Sequence, residues 1–180
     1  MRIHTATITR LRDALLQSGR RPSMVMSPAY ETLARSGLLS PEETAAIERI
    51  DPLAETMYLM MTADGDISDI ERDALRGAIR GLADNLIRTG SINVMLETFA
   101  AKLKEHGREL RLQEIADALS DNPQEAEAAF SLAAAIALAD DSVHESENEF
   151  INQLAEWFGI SAKRADEILD ALQQDHEIND

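Results

Sequence analysis

The sequence predicts an all-α protein, a compact helical bundle of about seven to nine helices with an internal pseudo-two-fold repeat. Apolar residues recur at three- and four-residue intervals along most of the chain, and no alternating strand pattern of useful length interrupts them. Glycine and proline fall mainly between these stretches, where they can end or start helices. One motif is also written twice. Ala63-Asp64-Gly65-Asp66-Ile67-Ser68-Asp69-Ile70-Glu71 returns as Ala139-Asp140-Asp141-Ser142-Val143-His144-Glu145-Ser146-Glu147, and an apolar helix leads into each copy.

The first amphipathic stretch runs from about Thr5 to Ser18, with Ile8, Leu11 and Leu15 on one stripe and Gly19-Arg20-Arg21-Pro22 ending it. Residues 22–39 mix Pro, Ser, Met and Gly, with a short helix expected from Pro28 to Arg35. Ser40-Pro41-Glu42-Glu43 is a helix start: a serine cap, proline at the first helical position, and a glutamate placed to return the capping hydrogen bond. That helix is expected to stop near Ile50, because Pro52 lacks the amide proton a helix interior needs. Asp51 then caps a new helix opened by Pro52 and striped by Leu53, Ala54, Met57, Tyr58 and Met61.

Leu75, Ala78, Ile79, Leu82 and Leu86 mark the next helix, ending before Gly90. Met95, Leu96, Phe99 and Leu103 mark another, ending before Gly107, and Leu112, Ile115, Ala116 and Leu119 a further one. Asn122-Pro123-Gln124-Glu125 repeats the cap, proline, glutamate arrangement and opens a helix that is apolar nearly all round, which makes it the expected centre of the bundle. Phe150, Ile151, Leu154, Trp157 and Phe158 stripe its successor up to Gly159. Ser161 caps a last helix carrying Ala165, Ile168, Leu169 and Leu172, and the chain from Gln173 to Asp180 is expected to fray.

Charge divides the chain. Residues 1–50 hold seven Arg or Lys against five Asp or Glu, net +2, and residues 51–180 hold ten against 28, net −18. The break falls beside Pro52, so the expected organisation is an N-terminal helical extension over 1–50, a helical domain over 51–175 and a frayed tail over 176–180. So acidic a body repels phosphate backbones, which argues against nucleic acid and for cations or basic protein surfaces. Cysteine is absent, which removes disulfides, thiolate zinc sites and a cysteine nucleophile, and fits a cytoplasmic setting. The first residues lack the apolar core of a signal peptide. The longest nearly apolar run, the 12 residues from Ala128 to Ala139, is shorter than the roughly 18 or more of a membrane span, so an integral membrane protein is not expected.

The doubled motif carries the chemistry. Asp64 and Asp66 flank Gly65, whose freedom at positive φ can turn their carboxylates inward, and Glu71 follows near the third position of the next helix. One such corner supplies about three side chains, whereas a hard ion such as Ca²⁺ takes roughly six to eight oxygens. Two corners, or one with water, would complete the shell. An oxygen-only set favours Mg²⁺, Ca²⁺ or Mn²⁺ over Zn²⁺, which would have only His144 nearby. The structural alternative is plain: Ser68-x-x-Glu71 is itself a capping box, and acidic residues at a helix start are favoured without any metal.

Met60-Met61-Thr62-Ala63-Asp64-Gly65-Asp66-Ile67 with Glu71, and Ala135-Ile136-Ala137-Leu138-Ala139-Asp140-Asp141 with Val143 and Glu147, resemble the TerB-like family, the all-helical domain of tellurite-resistance proteins. The resemblance covers residues 51–172. It implies a non-enzymatic helical domain with internal two-fold similarity and an acidic metal-binding region, acting in stress-related protein complexes near the membrane, so a cytoplasmic protein peripheral to the inner membrane. By motif, the metal candidates are Asp64, Asp66, Glu71, Asp140, Asp141 and Glu147. Asp140-Asp141 stands where the family usually has Asp-Gly. The competing expectation is a protein-interaction module docking a basic partner through its acidic face, without metal. A hydrolase is disfavoured, since no serine elbow, zinc-protease helix or phosphate-cradling glycine loop occurs.

Overall fold

The computed structural model describes residues 5–18, 33, 35–63, 65, 67–138 and 145–179. Among them are seven helices and no strand: α1 (Thr5–Ser18), α2 (Pro41–Met61), α3 (Asp69–Leu82), α4 (Thr89–Leu119), α5 (Pro123–Ala137), α6 (Glu145–Trp157) and α7 (Ala162–Asn179). The helix expected over Pro28 to Arg35 falls mostly outside the described residues.

The central position of α5 follows from its composition. Ala128, Ala129, Phe130, Leu132, Ala133, Ala134, Ile136 and Ala137 are all buried, and α5 packs on α1, α2, α4, α6 and α7. Alanine on every side lets those neighbours approach closely, with Phe130 filling the deeper space. The closest partnership is between α2 and α5, the two helices that lead into the repeated motif.

The expected break at Pro52 does not occur. Helix α2 runs unbroken from Pro41 to Met61 with Pro52 inside it. A mid-helix proline forfeits one backbone hydrogen bond and crowds the preceding turn, at about 3 kcal/mol. Here burial outweighs that cost: Ala46, Ile47, Ile50, Leu53, Ala54, Met57, Met60 and Met61 form one continuous buried stripe across the proline. Asp51 is accordingly a buried helix-interior residue and not a cap. At the start of α2, Ser40 does cap, accepting from the Glu43 amide at 3.1 Å.

Two further boundaries differ from expectation. Helix α3 stops at Leu82, because Asp84 and Asn85 turn the chain with φ of 51° and 63°, a conformation these side chains tolerate better than most. Leu86 is left about half exposed. Helix α7 continues through the stretch expected to fray, as far as Asn179. The break at Gly107 is where the sequence places it: φ 76° and ψ 165° there divide α4 into two helical segments.

The N-terminal helix is docked. Ile8 is buried against Gly81 of α3, where a Cβ would sit 3.0 Å from the isoleucine methyl, so the missing side chain permits the close approach. Arg12 donates to Asp84 at 3.0 Å. An arginine from the basic half of the chain thus pairs with the acidic half, while Arg20 and Arg21 lie outside the described residues.

Candidate functional site

Helix boundaries around the two motif copies keep the same interval as the motif itself. Helix α2 ends at Met61 and α5 at Ala137; α3 begins at Asp69 and α6 at Glu145. Each copy is therefore a helix, a connection of the same length and a second helix. Asp64, Asp66, Asp140 and Asp141 fall in those turns outside the described residues, as does His144. The geometry available is that of the frames holding them.

The first frame is well built. The Thr62 amide donates back to Tyr58 and the Thr62 hydroxyl donates to Tyr58 and Leu59 carbonyls, each at 3.1 Å, closing the end of α2. Gly65 follows with φ 151°, a backbone that a side chain would strain, which is the role its place between two aspartates predicts. Ser68 then opens α3 with a reciprocal capping box: its hydroxyl accepts from the Glu71 amide at 3.3 Å, and Glu71 Oε2 accepts from the Ser68 amide at 2.8 Å and its hydroxyl at 2.6 Å. One carboxylate oxygen of Glu71 is thus committed to the helix start. Glu147 occupies the equivalent third position of α6, partly exposed.

One side chain links the two frames. Arg108, immediately after the Gly107 break, donates through Nη2 to the Thr62 carbonyl at the end of α2. Its guanidinium carbon also lies 5.2 Å from the centre of the Phe150 ring, one turn beyond Glu147 on α6. The close of the first incoming helix and the first turns of the second outgoing helix are therefore both in contact with one guanidinium. Among the described residues, no group of three or more His, Asp or Glu is placed to hold a metal ion.

Deeper in the protein lies a cluster of charges that sequence reading missed. Glu55 of α2, 1% exposed, accepts from Arg111 Nε at 2.7 Å and Nη2 at 2.8 Å, and Lys102 Nζ lies 3.4 Å away. Arg111 also pairs with Glu114 on its own helix. Asp51, one turn before Glu55, is 5% exposed. Burial pushes its carboxyl up to about 6; Lys102 and Arg111 pull against that shift and Glu55 adds to it. The available signal was the i, i+4 pair of acids inside an apolar stripe, which reading Asp51 as a helix cap concealed.

A second buried acid fastens α4. Glu43, 3% exposed, accepts from the Arg88 amide at 3.0 Å, from Arg88 Nε at 2.9 Å and from the Ser91 hydroxyl at 2.6 Å. Burial alone would raise its pKa, but the hydrogen bonds from Ser91 and Arg88 win and hold it below the usual carboxylate range. Arg88 is the N-cap of α4 and offers no capping side chain of its own, so Glu43 supplies the negative group that this helix start lacks. Both clusters tie α2 to α4.

A family model described as tellurite resistance protein TerB matches residues 51–170. Comparison with curated proteins gave no match, and comparison with solved structures gave none either.

Proposed function

Because the chain belongs to the tellurite resistance protein TerB family, we infer that it is a non-enzymatic helical module that binds a divalent cation at its paired acidic corners. The observation that carries the reading is the bridge made by Arg108 between Thr62 and Phe150, which brings the frames of both corners to one region of the molecule. Asp64, Asp66, Glu71, Asp140, Asp141 and Glu147 are the proposed ligands. The equal spacing of helix ends supports treating the two units as pseudo-two-fold related. An all-oxygen donor set suits Mg²⁺, Ca²⁺ or Mn²⁺ better than Zn²⁺. Glu71 has only its second oxygen to offer, so the aspartates of the turns carry most of the proposed coordination.

The test is thermal melting after chelation, with each ion restored in turn and metal content measured on the purified protein. An ion at a hundred times its dissociation constant adds about 2.7 kcal/mol of stability. The Asp64→Ala/Asp140→Ala variant is expected to lose that gain. No shift with any ion, or an equal shift in the variant, rejects the reading.

The lopsided charge favours a second reading, in which the acidic body docks a basic protein partner within a cytoplasmic complex peripheral to the inner membrane. No helix among the described residues is long and apolar enough to cross a membrane. Docking of this kind weakens steeply with salt and ignores chelators; salt-insensitive capture would argue against it.

A further inference from the structure

The second segment of α4 and the last turns of α6 enclose a groove of about 680 Å³ lined by Arg108, Glu109, Leu112, Gln153, Glu156 and Trp157. Its apolar part is uneven in depth. Leu112 is 1% exposed and belongs to the core, whereas Trp157, at the end of α6, keeps 38% of its surface exposed. An indole this open leaves a large apolar surface for a partner to cover.

The charged part of the lining decides what could cover it. Glu109 and Glu156 are both exposed, and neither makes an ion pair among the described residues. Arg108, the cationic member, is already engaged by the Thr62 carbonyl and the Phe150 ring. A tryptophan face flanked by two uncommitted carboxylates matches the chemistry of a lysine or arginine side chain. The cation sits over the indole, its methylene stem lies along the apolar wall, and the carboxylates receive its N–H donors. An anionic segment would meet those same glutamates and a chain of net charge −16.

We propose that this groove is a docking site for a basic segment of a protein partner, with a Lys or Arg side chain over Trp157 held between Glu109 and Glu156. The assignment rests on the second reading above and gives that reading a surface. It does not depend on an ion at the acidic corners.

Trp157 is the only tryptophan in the chain, so its emission reports directly on the groove. A short amphipathic peptide of lysine and leucine, free of tryptophan, is titrated into the full protein with chelator present. The expected result is a saturable change in Trp157 emission that fades with salt, and an affinity weakened about tenfold or more in Glu109→Gln/Glu156→Gln. Glu97→Gln/Asp166→Asn removes the same charge from exposed positions on the first segment of α4 and on α7, and is expected to bind like the wild type. An equal loss in both double variants overturns the groove assignment while leaving a diffuse acidic docking face standing. No saturable binding of the basic peptide, or equal binding of a glutamate and leucine peptide, overturns the groove and the basic-partner reading together.

Discussion

At the scale of single residues, the buried acids behave in opposite ways, and the difference lies in their hydrogen bonds. Glu43 has three donors and is held ionised, so its contribution is present at neutral pH and fades as pH falls through its lowered pKa. Asp51 is as deeply buried but has only longer-range help from Lys102 and Arg111, and its pKa rises from 3.8 to about 6. A carboxyl raised in the folded state costs stability wherever it is ionised in both states, which is above about pH 6. That cost disappears as pH falls toward the unfolded value, because the folded protein takes up its proton first. Asp51→Asn is therefore expected to be more stable than wild type at pH 7.5, by on the order of 2–3 kcal/mol, with the gap narrowed to about 1 kcal/mol at pH 4.5. Urea denaturation of both proteins at the two pH values checks this, and a gap unchanged by pH would mean that Asp51 does not titrate as its burial implies.

Among the elements, α2 shows where local rules and packing part company. Proline at position 52 argues for two helices, and the apolar stripe on either side argues for one; the structure follows the stripe. The same competition works the other way at Gly107, where no buried stripe needs continuity and the glycine breaks α4. Serine caps, proline starts and helix stripes were legible in the sequence because each is set within a few residues. The pairing of Glu55 with Arg111, or of Glu43 with Arg88, was not, since each joins residues about fifty positions apart through the packing of α2 on α4. The candidate corners were legible as motifs, and Arg108, which spans their frames, was not, because nothing local distinguishes it from other helical arginines. For α2 itself, Pro52→Ala restores an amide donor within an already formed helix. It is expected to raise stability by roughly 1–3 kcal/mol, seen as a higher melting temperature with unchanged helical circular dichroism. A fall in stability would show that the ring is needed for packing on α5.

For the whole molecule, the question is where the folding unit begins. The family match starts at residue 51 and the charge break lies beside it, yet the chain at that point is the middle of a helix. Ala46, Ile47 and Ile50, all at 2% exposure or less, belong to the same core as Leu53 and Met57. Each buried isoleucine is worth about 1.5–3 kcal/mol, and Glu43 adds the group that seats α4. A chain starting at residue 51 would lose these together and leave the exposed wall of α5 without cover. The loss is on the order of 5 kcal/mol, comparable with the whole stability of a small domain. A chain starting at Ser40 keeps the cap and all of α2; it gives up α1, held by Ile8 and by Arg12 to Asp84, together with the buried Leu39 and the Leu38 carbonyl that accepts from Arg88. The expected outcome is a cooperative melt for the chain from Ser40, a few degrees below the full protein, and none for the chain from residue 51. Cooperative melting of the shorter chain within those few degrees would place the first turns of α2 outside the folding unit, and would return the domain boundary to the charge break.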